Sequence, residues 1–178
     1  ITEWELFTGI LPPLSQNRWD EYFQLYKTIP QYKLLNYNMT FKEFKIIFYW
    51  EYFHRILGRL LGLFFLIPFI YFFLIKKIKK EFFSVGSIIL FLIISQGIIG
   101  WYMVKSGLVD NTTVSHYRLA IHLNLALILF SAIYWYFLNI SLQKNKIFFN
   151  ISNSIIPKIF ILLIFLQITF GAFTSGLD

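Results

Sequence analysis

The sequence predicts an all-α integral membrane protein, an antiparallel bundle of four transmembrane helices preceded by interfacial amphipathic helices. Hydrophobic residues make up 57% of the 178 residues, and only 14% are charged. A soluble domain of this length could not bury so much apolar surface. The charged residues lie between long apolar runs, as expected of membrane spans. These runs lack the alternating polarity of a β-barrel, so the spans must be helices.

The first 45 residues are polar to amphipathic. Ser15 can cap a helix, which Pro30 would end. This helix carries an aromatic stripe at helical spacing, made of Trp19, Tyr22, Phe23 and Tyr26. The stripe fits either a helix lying in the membrane interface or a helix packed against neighbouring protein. Thr40 and Glu43 form a capping-box pattern that opens the next helix.

Four apolar runs follow, at about residues 46–75, 82–104, 119–140 and 155–173. Each reaches the roughly 20 residues that a helix needs to cross the hydrocarbon core. The loops between the first and second runs and between the third and fourth are rich in lysine, namely Lys76, Lys77, Lys79, Lys80, Lys144, Lys146 and Lys158. By the positive-inside rule these loops face the cytoplasm. The N-terminal segment, the 107–117 loop and the C-terminal end then face the periplasm or its mitochondrial equivalent.

A weak internal repeat indicates how the chain is organised. Segments 96–108 and 167–177 both contain Gln, Gly four residues later, and then Ser-Gly-Leu. The fourth span therefore opens a second copy of the unit. We expect an outer-side amphipathic segment at 1–45 and three transmembrane helices at 46–140. A cytoplasmic loop and the first, truncated part of a second half should occupy 141–178.

The strongest chemical signal lies near the start of the first span. Glu51, His54, Arg55 and Gly58 share one helix face, and Arg59 lies at its edge. Ionisable groups inside a span are costly and usually face the bundle interior. The alternative is a structural i,i+4 pair between Glu51 and Arg55, with the remaining charges extending to the interface.

His122, near the start of the third span, is the second signal. The first and third spans run in the same direction, and each histidine is expected about two turns below its helix start, so the sequence predicts His54 and His122 at similar depth. Two imidazoles at one level suit a bis-histidine haem. A structural histidine bonded across helices is the alternative for each residue. His116, in the outer loop, is interpreted as interfacial, with no ligand role.

Two glycine pairs lie on the same spans, Gly58 with Gly62 and Gly97 with Gly100. Such surfaces allow either close helix approach or the seating of a flat ligand, and the sequence does not separate the two. The chain has no cysteine, which excludes disulfides, thiolate metal sites and covalent haem attachment. The net charge of +7 comes largely from loop lysines, so it indicates topology and no nucleic-acid partner.

These motifs resemble the haem A synthase family, especially its proteobacterial and mitochondrial branch. The matching segments cover the chain in order: 2–4, 8–14, 48–59, 96–104, 106–109, 117–123 and 171–178. The resemblance implies an eight-span protein of two four-helix halves, of which this sequence would hold spans two to five. It implies oxidation of the C8 methyl of haem O to the formyl group of haem A, which cytochrome oxidases use. Another branch has a cysteine pair in the outer loop, and this sequence does not.

The resemblance also implies site residues and partners. His54 and His122 would bind the iron of substrate haem O, and Glu51 would be catalytic. Haem b is expected in the half that is missing here. Arg55, Arg59 and Arg118 are candidates to pair with haem propionates, because guanidinium matches carboxylate geometry. Candidate partners, besides the lipid bilayer, are haem O synthase, cytochrome oxidase assembly proteins and a second copy of the chain.

Two other functions fit the same residues. A di-haem b-type electron carrier needs the histidines but has no use for Glu51. A non-catalytic membrane assembly factor would use its polar residues only to join helices. In each case we expect a multi-pass protein of the bacterial cytoplasmic membrane or the mitochondrial inner membrane.

Overall fold

The computed structural model describes residues 11–108, 111–142 and 154–175, where all regular structure is helical. The helices are α1 (Gln16–Thr28), α2 (Pro30–Leu34), α3 (Phe41–Leu74), α4 (Lys80–Gly107), α5 (His116–Ser141) and α6 (Ile155–Ser175). The last four are long and apolar enough to cross a membrane. The predicted fold class, an all-α bundle of membrane helices, is therefore confirmed. Most of the long helices extend beyond their predicted apolar runs, because helical hydrogen bonding continues into polar flanking residues.

The aromatic stripe of α1 packs against the first turns of α3. Trp19 and Phe23 are buried in a cluster with Phe44 and Phe48 of α3. The Trp19 and Phe48 rings meet edge to face, with centroids 4.8 Å apart. Of the two interpretations of the stripe, the structure shows packing against neighbouring protein. The Ser15 hydroxyl accepts a hydrogen bond from the backbone N–H of Arg18 at 3.4 Å, which confirms the predicted cap.

Two local signals set the path from α1 to α3. Pro30 was predicted to end the first helix, and α1 does end just before it, at Thr28. Pro30 then begins the short helix α2, which the sequence analysis did not anticipate; proline is well tolerated at a first helical position. The predicted capping box is confirmed. The Thr40 N–H donates to Glu43 Oε2 at 2.8 Å, and the Glu43 N–H donates to Thr40 Oγ1 at 3.4 Å.

The long helices pack in chain order, α3 on α4, α4 on α5 and α5 on α6. At the lysine-rich end of α3 and α4, the Phe69 and Phe83 rings stack with centroids 5.4 Å apart. The Tyr136 hydroxyl of α5 donates to the Phe82 carbonyl at 3.1 Å, and its ring lies 6.3 Å from the Phe65 ring of α3. Three helices are thus joined at this end, which we call the inner end. Lys158, predicted to lie in the loop before the fourth span, lies instead in the first turn of α6. Lys144 and Lys146 lie outside the described residues, and the membrane side of each loop stays a prediction.

Candidate functional site

The ionisable face of α3 contains the predicted i,i+4 pair. Arg55 Nη1 lies 3.4 Å from Glu51 Oε2, and the two side chains are 16% and 37% exposed respectively. His54 is exposed on the same helix, and Arg59 is half-buried. The structural alternative for Glu51 and Arg55 is therefore realised. An ion pair and a catalytic role are compatible, because a paired carboxylate remains a proton acceptor.

Glu51 lies where the aromatic cluster meets the span. Burial raises the pKa of the Tyr26 phenol, a hydrogen bond from Asn36 opposes that shift, and the nearby Glu51 carboxylate adds to it. The Asn36 amide nitrogen donates to the Tyr26 hydroxyl at 2.9 Å. Tyr26 of α1 therefore belongs to the electrostatic surroundings of Glu51.

His122 is held between α4 and α5. Its ring packs against Gly100 so closely that a Cβ at that position would lie 2.8 Å from His122 Cε1. The Gln96 amide nitrogen lies 3.3 Å from His122 Nε2 and donates to the His122 carbonyl at 3.1 Å. The sequence shows Gln96 only as part of the repeat and gives no direct sign of this contact. The available signal was a polar side chain one turn before Gly100 on the same helix.

The helix bounds do not place His54 and His122 at equal distances from their helix starts. His54 is the fourteenth residue of α3, whereas His122 is the seventh residue of α5. Distance from the helix start therefore does not show equal depth. The reason is the capping box at Thr40, which begins α3 well before the apolar run. Equal depth stays a prediction.

Two of the four glycines lie at helix contacts, and the other two face open space. Gly62 meets Ile93 of α4, whose Cγ2 would lie 3.6 Å from an added Cβ, and Gly100 meets His122. These two positions allow close packing. At Gly58 and Gly97, by contrast, no described atom beyond the backbone of the same helix and the adjacent residues lies within 4 Å of an added Cβ. The open surface beside these two glycines is what a flat ligand would need.

Arg118 joins the outer ends of α4 and α5. Its Nη1 donates to Ser106 Oγ at 2.5 Å, and its guanidinium lies 4.8 Å from the centre of the Tyr102 ring. Nearby, Asn124 of α5 donates to Thr169 Oγ1 of α6 at 3.0 Å. The hydrogen bonds of Arg118 to Ser106 and of Asn124 to Thr169 each join two helices, as is common in membrane proteins. The predicted propionate role of the three arginines stays a prediction.

Two buried polar atoms at the contact of α4 with α5 are available to a bound group. Within the described ranges, His122 Nδ1 and Gln96 Oε1 are buried and have no hydrogen-bond partner. Leaving such an atom unsatisfied costs about 1–3 kcal/mol, so a bound group that engages it would be stabilising. No group of three or more potential metal ligands occurs among the described residues. A haem does not need one, because the porphyrin supplies the equatorial ligands and the protein only the axial ones.

Comparison with known proteins shows the family to which the chain belongs. The sequence model of the family described as "Cytochrome oxidase assembly protein" matches residues 1–178. The chain belongs to this family. The family assignment agrees with the resemblance drawn from the motifs.

Similar curated proteins include three named "Heme A synthase". The chain is 53% identical to that of Pelagibacter ubique, 46% identical to that of Ehrlichia canis and 41% identical to that of Flavobacterium psychrophilum. Each alignment covers 100% of this chain and 52%, 51% and 53% of the respective relative. The chain thus spans about half the length of the curated relatives it matches. No solved structure matches it.

Proposed function

We propose that this chain is the substrate-haem half of a haem A synthase, and that the whole protein oxidises the C8 methyl of haem O to the formyl group of haem A. The observation that carries the proposal is that relatives named heme A synthase align with the entire chain at 41–53% identity. The open surface at Gly58, one turn after His54 on α3, and at Gly97 on α4 supports it.

The proposal gives each side chain a role. His54 and His122 would bind the iron of the substrate haem. Glu51, one helical turn from His54, accepts protons released during oxidation of the methyl group. The redox chemistry belongs to the haem iron, and the protein supplies position and electrostatics. Arg55 and Arg59 stabilise the nearby Glu51 carboxylate or bind haem propionates.

The location and partners of the whole protein follow from the same proposal. The product would serve cytochrome oxidases, so the protein would lie in the bacterial cytoplasmic membrane or the mitochondrial inner membrane. Haem O synthase is the expected source of the substrate. A second haem, of the b type, would bind in the part of the protein that the relatives have beyond this chain.

The test is expression of the full-length protein in a host that makes haem O and has no haem A synthase of its own. We expect haem A in the membrane extract, resolved from haem O by chromatography. Bound haem without any conversion of haem O would indicate a di-haem electron carrier. Purified protein without any haem absorbance would indicate a non-catalytic assembly factor. Either result contradicts the proposal.

A further inference from the structure

The Gln96 side chain of α4 holds one ring nitrogen of His122. Its amide nitrogen donates to the His122 carbonyl oxygen at 3.1 Å, and the same nitrogen lies 3.3 Å from His122 Nε2. If the amide were reversed, its oxygen would face the carbonyl oxygen, with acceptor against acceptor. The NH₂ group therefore faces the histidine, and Nε2 accepts from its second N–H. A neutral imidazole then carries its single proton on Nδ1.

Gly100 makes room for the same ring. A Cβ added there would lie 2.8 Å from His122 Cε1, the carbon between the two ring nitrogens, and 3.4 Å and 3.5 Å from Nδ1 and Nε2. The first distance is shorter than real Cβ atoms show, so only a glycine lets the ring lie where it does. Gln96 and Gly100 are one turn apart on α4. Together they define a place for the imidazole, which we call the α4 position.

The α4 position and an iron compete for one lone pair. A metal binds the imidazole nitrogen that carries no proton, at a distance of about 2 Å. In the α4 position that nitrogen is Nε2, and the Gln96 amide nitrogen already lies 3.3 Å from it. One lone pair cannot accept a hydrogen bond and bind an iron at the same time. Nδ1 carries the proton and offers no lone pair, so the imidazole must leave the α4 position to bind an iron.

We infer that His122 has two positions: the α4 position, where Gln96 holds Nε2, and a released position, where Nε2 binds the iron of the substrate haem. The inference rests on the proposed function, because it takes His122 as an iron ligand. In the α4 position the Nδ1 proton is buried and has no partner among the described residues, which opposes the hydrogen bond from Gln96. The two positions are therefore close in free energy, and Gln96 and Gly100 set the fraction of the protein that can bind haem.

Substitutions that disfavour the α4 position should tighten haem binding. The apparent Kd equals the intrinsic Kd divided by the fraction of the protein that is competent to bind. Losing one hydrogen bond raises that fraction about 2–10-fold where the α4 position dominates. Gln96→Leu, which removes the donor, should therefore lower the apparent Kd for haem O by about 2–10-fold. Gly100→Ala, which occupies the place of Cε1, should change it in the same direction.

The experiment titrates haem O into full-length protein purified from a host that makes none, and it follows the absorbance of the bound haem. Gly86→Ala is the matched control, because it also adds a methyl group to α4 against a ring, that of Phe69 at the inner end. It should not tighten binding. Equal or weaker binding by Gln96→Leu and Gly100→Ala would overturn the inference and leave Gln96 as a residue that joins helices.

The His122→Ala variant separates the two possible failures. It should lose haem O. If it binds haem O as before, the proposed haem site itself is wrong, and the inference falls with it. If it loses haem O while Gln96→Leu and Gly100→Ala bind haem no more tightly, only the two positions of His122 are wrong.

The tautomer of His122 gives a test that does not depend on how Gln96→Leu and Gly100→Ala fold. The α4 position requires a proton on Nδ1 and none on Nε2. The ¹⁵N NMR spectrum of histidine-labelled full-length protein, prepared without haem O, should show this tautomer for His122, assigned by its loss in His122→Ala. A proton on Nε2 would mean that Gln96 does not hold this nitrogen as a donor, and it would overturn the inference.

Discussion

Replacing Glu51 with glutamine separates catalysis from structure. The substitution keeps the size of the side chain and removes its charge. The structural loss is the i,i+4 pair with Arg55, whose 3.4 Å contact is partly exposed. Such pairs contribute about 0.3–0.5 kcal/mol, which corresponds to only about a twofold change in an equilibrium constant. A lost proton acceptor typically costs about 10²–10⁴-fold in rate, or roughly 3–5 kcal/mol of barrier.

The rate loss expected from a lost proton acceptor is much larger than the effect of a lost ion pair, so one assay can tell a catalytic Glu51 from a structural one. In the full-length protein, Glu51→Gln should retain the fold and the haem at His54 and His122, and the yield of haem A should fall at least about 100-fold. Haem O or a partly oxidised intermediate should accumulate in the chromatogram of extracted haems. Normal haem A production by Glu51→Gln would refute the catalytic role and leave Glu51 as a structural partner of Arg55.

Three further predictions concern topology and packing. The chain lacks cysteine, so a single introduced cysteine reports its own side of the membrane. A cysteine at position 111 should be labelled from the outer side, and one at position 77 from the cytoplasm. Labelling of position 111 only from the inside would show that the predicted orientation is wrong. Gly86→Ala, whose added Cβ would collide with the Phe69 ring, should lower the free energy of unfolding by about 1–3 kcal/mol in detergent denaturation. Phe44→Ala, at a fully buried position, should cost about 3–5 kcal/mol and make α1 sensitive to protease, whereas the same substitution at exposed Phe64 should do neither.

The fold was largely predictable because membrane spans follow from length and hydropathy alone. The capping box at Thr40 and the cap at Ser15 were equally readable, since each depends on residues close together in sequence. The short helix α2 was not, because five residues carry too little periodicity. The aromatic stripe of α1 left two interpretations open, since its partner Phe44 is distant in sequence and only packing could choose.

The candidate site was predictable in its residue types and in its contacts within one helix, and not in its contacts between helices. Glu51 and Arg55 are four residues apart on one helix, so their pairing follows from helical geometry. The contact of Gln96 with His122 depends on how α4 and α5 are rotated against each other, which no local pattern specifies. The depth argument from helix starts failed for a related reason, because α3 begins well outside its apolar run.

Haem retention by single-histidine variants tests most directly the claim that α3 and α5 share one haem. His116→Ala is the matched control, since the His116 ring contacts Tyr117 and Phe173 and has no ligand role in the account. With full-length protein purified from membranes that contain haem O, His54→Ala and His122→Ala should each lose the same pigment, and His116→Ala should retain it. If either His54→Ala or His122→Ala keeps a full complement of that haem with an unchanged low-spin spectrum, the two histidines do not share a haem and the account is wrong.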